Sequence, residues 1–393
     1  MTEGSPVSFN NTAIAFAGKS NAQLSKAYWL FKAISQNWLV KAGPPLTYLA
    51  LKLHLPIRGI IKSTIFSHFC GGENIIDCNQ TIAALGQYGV GTILDYSVEG
   101  EHNEAAFNAC LNETLATIDR AKQDKNIPFC VFKVTGLARF GLLEKLDTGE
   151  TLTPEEEQEY SCVKDRVRRL CEAASKAEKP IFIDAEETWI QKSIDSMAYE
   201  MMALYNKQQA IVYNTIQMYR ADGYTLLTGA HIQSQAGGYI LGIKMVRGAY
   251  MEKERARALK MGYPSPINAN KLATDALYNK GLSYCVTHIK EIALCAGTHN
   301  EDSSQLLVSL MRENNILADN KHVYFSQLLG MSDHISFNLA NAHYNVAKYV
   351  PYGPVISVLP YLVRRANENT SISGQMGREL SLLTQERQRR KQA

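Results

Sequence analysis

The sequence predicts an α/β protein built as a distorted (β/α)8 barrel of the TIM type, with additional helices at its N-terminal side. Two observations carry that prediction. From residue 90 onward, eight short β-rich runs alternate with longer amphipathic stretches, the pattern of parallel strands joined by crossover helices. Eight such units in about 280 residues also match the size of this barrel.

The predicted strands are VGTILDYSV (90–98), FCVFKVTGL (129–137), PIFIDAEE (180–187), AIVYNTIQMY (210–219), LGIKMVRG (241–248), IALCAGTH (292–299), VYFSQLLGM (323–331) and YNVAKYVPYG (344–353). Between them, EAAFNACLNETLATIDRAKQ, TPEEEQEYSCVKDRVRRLCEAASKAEK and NEDSSQLLVSLMRENN repeat apolar residues at helical spacing, and the second opens on a Thr-Pro-Glu-Glu start signal. Residues 1–89 read as a helical N-terminal arm, because NAQLSKAYWLFKAISQNWLVKAG is helix-like and no clear strand precedes Val90. Residues 90–393 then hold the barrel, a C-terminal helix and a basic tail.

Hydrophobic residues at 46% and charged residues at 20% are ordinary for a globular chain, and a formal net charge of +3 over 393 residues gives no electrostatic reason to expect nucleic acid. The eight cysteines show no C-x-x-C pair or metal-ligand spacing, which suits a reduced intracellular compartment. The N-terminus lacks the basic start and apolar run of a secretory signal, and no apolar window reaches the roughly 20 residues a membrane span needs. The longest candidate, WLVKAGPPLTYLALKLHLP, is broken by Lys41, Lys52 and Pro44-Pro45, and reads at most as a segment lying on a membrane surface.

In such a barrel, chemistry sits at the C-terminal ends of the strands. The residues ending these runs are Lys133 and Thr135; Asp184, Ala185, Glu186 and Glu187; Gln217 and Tyr219; Lys244, Arg247 and Tyr250; and Thr298, His299 and Asn300, with the last strand ending near Tyr349. In PYLVRRANEN, Tyr361, Arg364, Arg365 and Glu368 follow an i, i+3, i+4, i+7 pattern and share one helix face. An aromatic ring and two guanidinium forks suit a small anion with an apolar body, whereas a solvated face with ordinary salt bridges is the plainer alternative. Singly, Lys133 with Asp184 reads as a structural ion pair, His299 as a core histidine and Tyr250 as packing. Together, so many charges at one barrel mouth are costly unless they pair or bind a charged ligand. A metal is disfavoured because Lys133, Lys244 and Arg247 would repel it from Asp184, Glu186, Glu187 and His299. With no G-x-G-x-x-G and no P-loop, a Rossmann dinucleotide site is disfavoured as well.

From about Val90 to Asn369 the chain resembles the proline dehydrogenases, flavin enzymes that oxidise proline to pyrroline-5-carboxylate. The motifs FKVTGL, IDAEE, IQMY, KMVRGAYMEKER, AGTHN and YLVRRANEN occur in family order. The resemblance implies that Arg364 and Arg365 grip the proline carboxylate with Lys133 as a further cation, that Glu368 anchors the arginine pair, and that Tyr250, Leu328, Tyr349 and Tyr361 wall the ring. Asp184 organises the charge network beside Lys133. Ala185, Gln217, Lys244, Arg247, Gly248, Ala249, Thr298 and His299 fall where the family binds FAD. Many bacterial members read R-x-V-K-G-A-Y where this chain has Lys244 and then Arg247, as eukaryotic-type members do. Tyr349 resembles proline enzymes, whereas hydroxyproline enzymes carry a smaller residue there.

The implied reaction needs an oriented C–H bond, a neutral amine and stabilised charge on the cofactor. No nucleophile is required, in keeping with the absence of a recognisable triad or G-x-S-x-G. The resemblance further implies a quinone as electron acceptor, and the cysteine usage and lack of a secretory signal lead to the expectation of a cytoplasmic protein. Peripheral contact with the inner face of the cell membrane, through the arm or the tail QERQRRKQA, is one reading; a frayed, solvated tail is the other. Hydroxyproline dehydrogenase and a non-flavin barrel lyase are the alternative functions.

Overall fold

The computed structural model describes residues 7–36, 43, 47, 52–53, 56–97, 103–371 and 373–392, without the side chains of 366–376. The apolar segment 38–56 therefore lies almost wholly outside the described residues, and so does the side chain of Glu368.

Eight parallel strands close into a barrel in chain order. They are β1 (Val90–Tyr96), β2 (Phe129–Lys133), β3 (Ile181–Asp184), β4 (Val212–Gln217), β5 (Leu241–Val246), β6 (Ile292–Gly297), β7 (Val323–Leu328) and β8 (Val346–Tyr352). Their sequences are almost continuously apolar, as strands buried on both faces must be; all seven residues of β8 are buried. Every strand was expected within a residue or two of its start, but seven of the eight stop two or more residues before their expected C-terminal end, and β8 stops one residue before it. The β-rich composition continues into the loops that carry the polar residues. Thus Thr135 sits in a 3-10 turn, Val134–Gly136, after β2. Arg247 and Thr298 each follow their strand, Tyr250 precedes a helix, and Tyr349 lies in the middle of β8 rather than at its end.

The chain divides into two compact units. Within Gly100–Ser326, the longer helices are α1 (Glu104–Lys122), α2 (Pro154–Lys176), α3 (Thr188–Tyr205), α4 (Gly223–Gly237), α5 (Met251–Met261), α6 (Lys271–Thr287) and α7 (Glu301–Glu313), with a shorter one at Phe140–Thr148. The start signal of α2 is a capping box: Thr153 accepts from the backbone of Glu156, whose side chain accepts from the backbone of Thr153. At the N-terminal ends of the strands an aromatic plug fills the barrel. Phe129 stacks on Phe182 at 4.4 Å between centroids, and Tyr213 and Tyr324 meet Phe129 edge-on.

The other unit combines Met1–Glu99 with Gln327–Ala393. It holds the seam of the barrel, where β1 pairs with β8 and Ile93 is the register partner of Tyr349. A helix at Asn21–Ile34 starts from a Ser20–Gln23 capping box and buries Leu24, Ala27 and Phe31 against Leu382 and Leu383. Of the two readings of the tail, the frayed, solvated one is not found among the described residues. Ser373–Gln392 is helical, Glu386 is fully buried under Arg389 and Arg390, and Arg390 also donates to the carbonyls of Phe16 and Lys19. Arg387 lies 4.2 Å over the ring of Tyr28. Three tail arginines are thereby engaged within the fold.

Lys348, fully buried on β8, pairs with Asp333 at 2.8 Å and donates to the carbonyl of Met331 at 2.7 Å. Lys19 reaches the other oxygen of Asp333 at 3.0 Å. Burial pushes the Asp333 carboxyl up, but the two lysines more than reverse this and hold it well below the usual range. This buried, doubly compensated carboxylate fixes the segment after β7.

Candidate active site

The charged residues predicted on strands two, three and five converge. Lys133 and Asp184 are register partners at the ends of β2 and β3. Lys133 Nζ lies 3.8 Å from Asp184 Oδ2, while the other carboxylate oxygen accepts from Lys244 Nζ. Lys244 is only 4% exposed and sits 5.3 Å over the ring of Phe182. The ion-paired layer thus rests directly on the aromatic plug. A lysine so placed is stabilised by its carboxylate and by the ring face beneath it.

Arg247, just past β5, is held on three sides. Its Nε donates to Asp275 at 2.7 Å, Nη1 to Thr298 Oγ1 at 2.7 Å and Nη2 to Ser303 Oγ at 2.9 Å, with the guanidinium 4.4 Å over Tyr278. Asp275, Ser303 and Tyr278 lie on helices α6 and α7, outside any strand end, so strand-end reasoning did not reach them. Arginine carries five N–H donors, so this clamp orients the fork and leaves part of it for a ligand.

Gly248 has φ +133, a region that excludes ordinary side chains, and a Cβ there would lie 2.5 Å from the ring of Tyr219. Gly248 and Ala249 are both exposed, and a single methyl group is the only side chain over the backbone there. Tyr250 caps α5, with the amine of Lys253 at 5.7 Å from its ring. Thr298 is buried and donates its backbone N–H to Ser326, while His299 beside it is half-buried.

Gln217 spends its amide N–H on the carbonyl of Glu186 at 2.7 Å, tying the end of β4 to the loop after β3 and to Ala185 within it. Glu186 itself entered the sequence reading as a strand-end residue and an unlikely metal ligand, with no role assigned to it. It is 3% exposed and accepts from the backbone N–H and the hydroxyl of Thr135, at 3.0 and 2.5 Å. Burial raises its carboxyl to about 7, against the lowering influence of the Thr135 bonds. The signal was present in IDAEE: three acids within four residues at a strand end cannot all face water, and Glu186 and Glu187 are both buried.

In the other unit, Leu359–Ser371 is helical as expected. The guanidinium of Arg365 lies 5.2 Å over the ring of Tyr361, both residues being nearly buried, and Arg364 is half-buried beside them. Tyr361 belongs to the apolar cluster against which Leu328 packs. Tyr349 is buried, and its carbonyl accepts from the N–H of Leu329 at 2.8 Å.

An FAD-type group fits the residues at the ends of β3 to β6. A buried cation, an oriented guanidinium and a side-chain-free backbone suit a flat, acceptor-rich ring carrying phosphates. Among the described residues, the acids near this charge layer are already taken by cations or backbone donors.

Comparison with known proteins finds several proline dehydrogenases, and also Carbapenem antibiotics biosynthesis protein CarD of Pectobacterium carotovorum subsp. carotovorum, 32% identical over 85% of this chain and 86% of that protein. The family model described as Proline dehydrogenase matches residues 78–378. The chain is 31% identical to Proline dehydrogenase 1, mitochondrial, of Dictyostelium discoideum, over 97% of this chain and 74% of that protein. It is 40% identical to Proline dehydrogenase 1, mitochondrial, of Homo sapiens, over 64% of this chain and 42% of that one. Among solved structures, proline utilization A from Bdellovibrio bacteriovorus, inactivated by N-propargylglycine, aligns with a TM-score of 0.72 at 20% identity, over 95% of this chain and 40% of that chain. That last likeness concerns the fold.

Proposed function

The chain belongs to the proline dehydrogenase family, oxidoreductases acting on proline, and from that premise we propose that it oxidises L-proline to 1-pyrroline-5-carboxylate with FAD as cofactor. The observation that carries this reading is the layer formed by Lys133, Asp184 and Lys244 at the strand ends. A buried lysine neutralised by one carboxylate is poised to stabilise negative charge gained by a neighbouring group.

FAD supplies the hydride acceptor, N5 of its ring. Lys244, Arg247, Thr298 and His299 hold the cofactor, with Gln217 and Ala185 lining it and the Gly248–Ala249 backbone in close approach. Arg364 and Arg365 bind the substrate carboxylate, which turns the reacting C–H bond and fixes its distance. Tyr250, Leu328, Tyr349 and Tyr361 exclude water around the pyrrolidine ring. Asp184 positions Lys133 and Lys244 rather than accepting a proton.

Electrons leave to a quinone. No described helix is long and apolar enough to cross a membrane, so delivery to a membrane quinone calls for peripheral contact. Several relatives carry "mitochondrial" in their names, which adds that compartment to the cytoplasmic reading.

The test is the absorption spectrum of the purified chain, followed by proline-dependent reduction of a quinone analogue. Flavin bands that bleach on adding proline are expected. A colourless protein that stays so after FAD is supplied would reject the cofactor assignment.

A further inference from the structure

At the end of the barrel opposite the strand C-termini, three elements bring together two imidazoles and a carboxylate. His231 lies on α4, His288 immediately follows α6, and Glu291 immediately precedes β6. One ligand atom from each lies within 4.8 Å of the other two. His231 Nε2 is 2.9 Å from Glu291 Oε2, and its Nδ1 is 2.8 Å from the hydroxyl of Tyr284. Gln235 donates to the same Glu291 oxygen at 2.6 Å. The rings of His231 and His288 stand 4.7 Å apart.

A plain histidine–carboxylate hydrogen bond explains the His231–Glu291 contact. It does not explain the second imidazole beside it, nor the tyrosine held on the far nitrogen of His231. Those are the parts of a transition-metal site: two nitrogen ligands, one oxygen ligand, and an outer partner that fixes the ring and its tautomer. Tetrahedral ligand atoms around zinc stand roughly 3.3 Å apart, so the cluster has to contract on one side and open by a few tenths of an ångström on another. His231 is buried, whereas His288 is half-buried and Glu291 exposed. Solvent therefore reaches the open side, giving both an entry path and a fourth ligand.

We propose that His231, His288 and Glu291 bind one Zn2+ per chain, with water in the fourth position, clamping α4 and the end of α6 to the start of β6. Zinc takes the Nε2 lone pair of His231. The proton of that neutral ring then resides on Nδ1 and is donated to the Tyr284 oxygen, which turns from donor to acceptor. Gln235 keeps its bond to Glu291. The site is separate from the Lys133–Asp184–Lys244 layer and does not rest on the function proposed above.

The test uses the full chain without a histidine tag, stripped with a chelator and titrated with ZnCl2 by calorimetry. One saturable site per chain is expected. His288→Ala and Glu291→Gln, both at solvent-reachable positions, should each weaken it at least tenfold, and Tyr284→Phe should weaken it less. At zinc a hundred times the dissociation constant, the folded-to-unfolded ratio should rise about 100-fold, whereas MgCl2 at the same concentration should leave thermal unfolding unmoved. Absence of a one-per-chain site, uptake unchanged in both ligand variants, or equal stabilisation by magnesium would each overturn the assignment.

Discussion

Lys133 and Asp184 end adjacent strands as register partners with their charged atoms 3.8 Å apart, although the carboxylate's other oxygen belongs to Lys244. One carboxylate thus serves two cations. Replacing it with Asp184→Asn leaves Lys244 charged in a buried position, a loss of about 3–5 kcal/mol for a broken buried pair. Urea unfolding should read that loss. Adding Lys244→Met should recover part of it, because the two effects are not additive, while kcat/KM for proline should fall in both.

The carboxyl of Glu186 is raised from 4.5 to about 7 by burial. Since the folded state holds this proton more tightly than the unfolded one, its contribution to stability is fully present below pH 4.5 and is lost as pH rises through 7. Glu186→Gln mimics the protonated form. Relative to the variant, the wild type should lose roughly 3 kcal/mol across that window, measured by denaturant unfolding at a series of pH values. Parallel curves for the two proteins would disprove the assignment.

If Arg364 and Arg365 hold the substrate carboxylate as proposed, Arg364→Met and Arg365→Met should each remove a charge-assisted bond worth about 1.5–3 kcal/mol, or roughly 10- to 150-fold in kcat/KM for proline. Flavin content should be unchanged. Wild-type kinetics in either variant would remove that arginine from the substrate site.

Gly248→Ala forces a Cβ to within 2.5 Å of the Tyr219 ring at a backbone angle that side chains avoid. The strained backbone alone costs about 1–3 kcal/mol. Both the unfolding temperature and the flavin bound per chain should drop, and an alanine variant with full flavin occupancy would show that the bare backbone is not needed.

The proposed preference for proline over 4-hydroxyproline rests on Tyr349. A pocket differing by one small group discriminates by about 1–3 kcal/mol, so the wild type should prefer proline by tens to hundreds of fold. Tyr349→Ser should lose proline activity and gain hydroxyproline activity. Steady-state kinetics with both substrates on both proteins decide this, and an unchanged ratio removes Tyr349 from the argument.

The barrel was legible because each strand is an apolar run bounded by a helical pattern, and because capping signals such as Thr153 with Glu156 are local. Strand ends were not. Hydrophobic periodicity does not register where a chain leaves a sheet, as the 3-10 turn at Val134–Gly136 illustrates. The same limit governs the site. Lys133, Asp184 and Lys244 could be placed together because strands of one barrel converge, whereas Asp275, Tyr278 and Ser303 around Arg247 are helix residues that only the packing of α6 and α7 brings near. Lys348 escaped notice for another reason: within YNVAKYVPYG a lysine reads as a strand-edge charge, and its partner Asp333 lies in a separate segment.

The seam pairs β1 with β8, in the unit formed from both ends of the sequence, whereas Gly100–Ser326 is a single uninterrupted stretch. During synthesis the uninterrupted stretch can therefore assemble its own core while the rest is still being made. Val90 must wait for Val346, so β1 leaves the ribosome early with one edge unpaired, the kind of exposed edge that recruits other chains. Closing so long a loop is also slow. The step most exposed to aggregation is thus the last one, and conditions that slow completion of residues 346–352 should lower the yield of soluble protein more than an equal delay earlier in the chain.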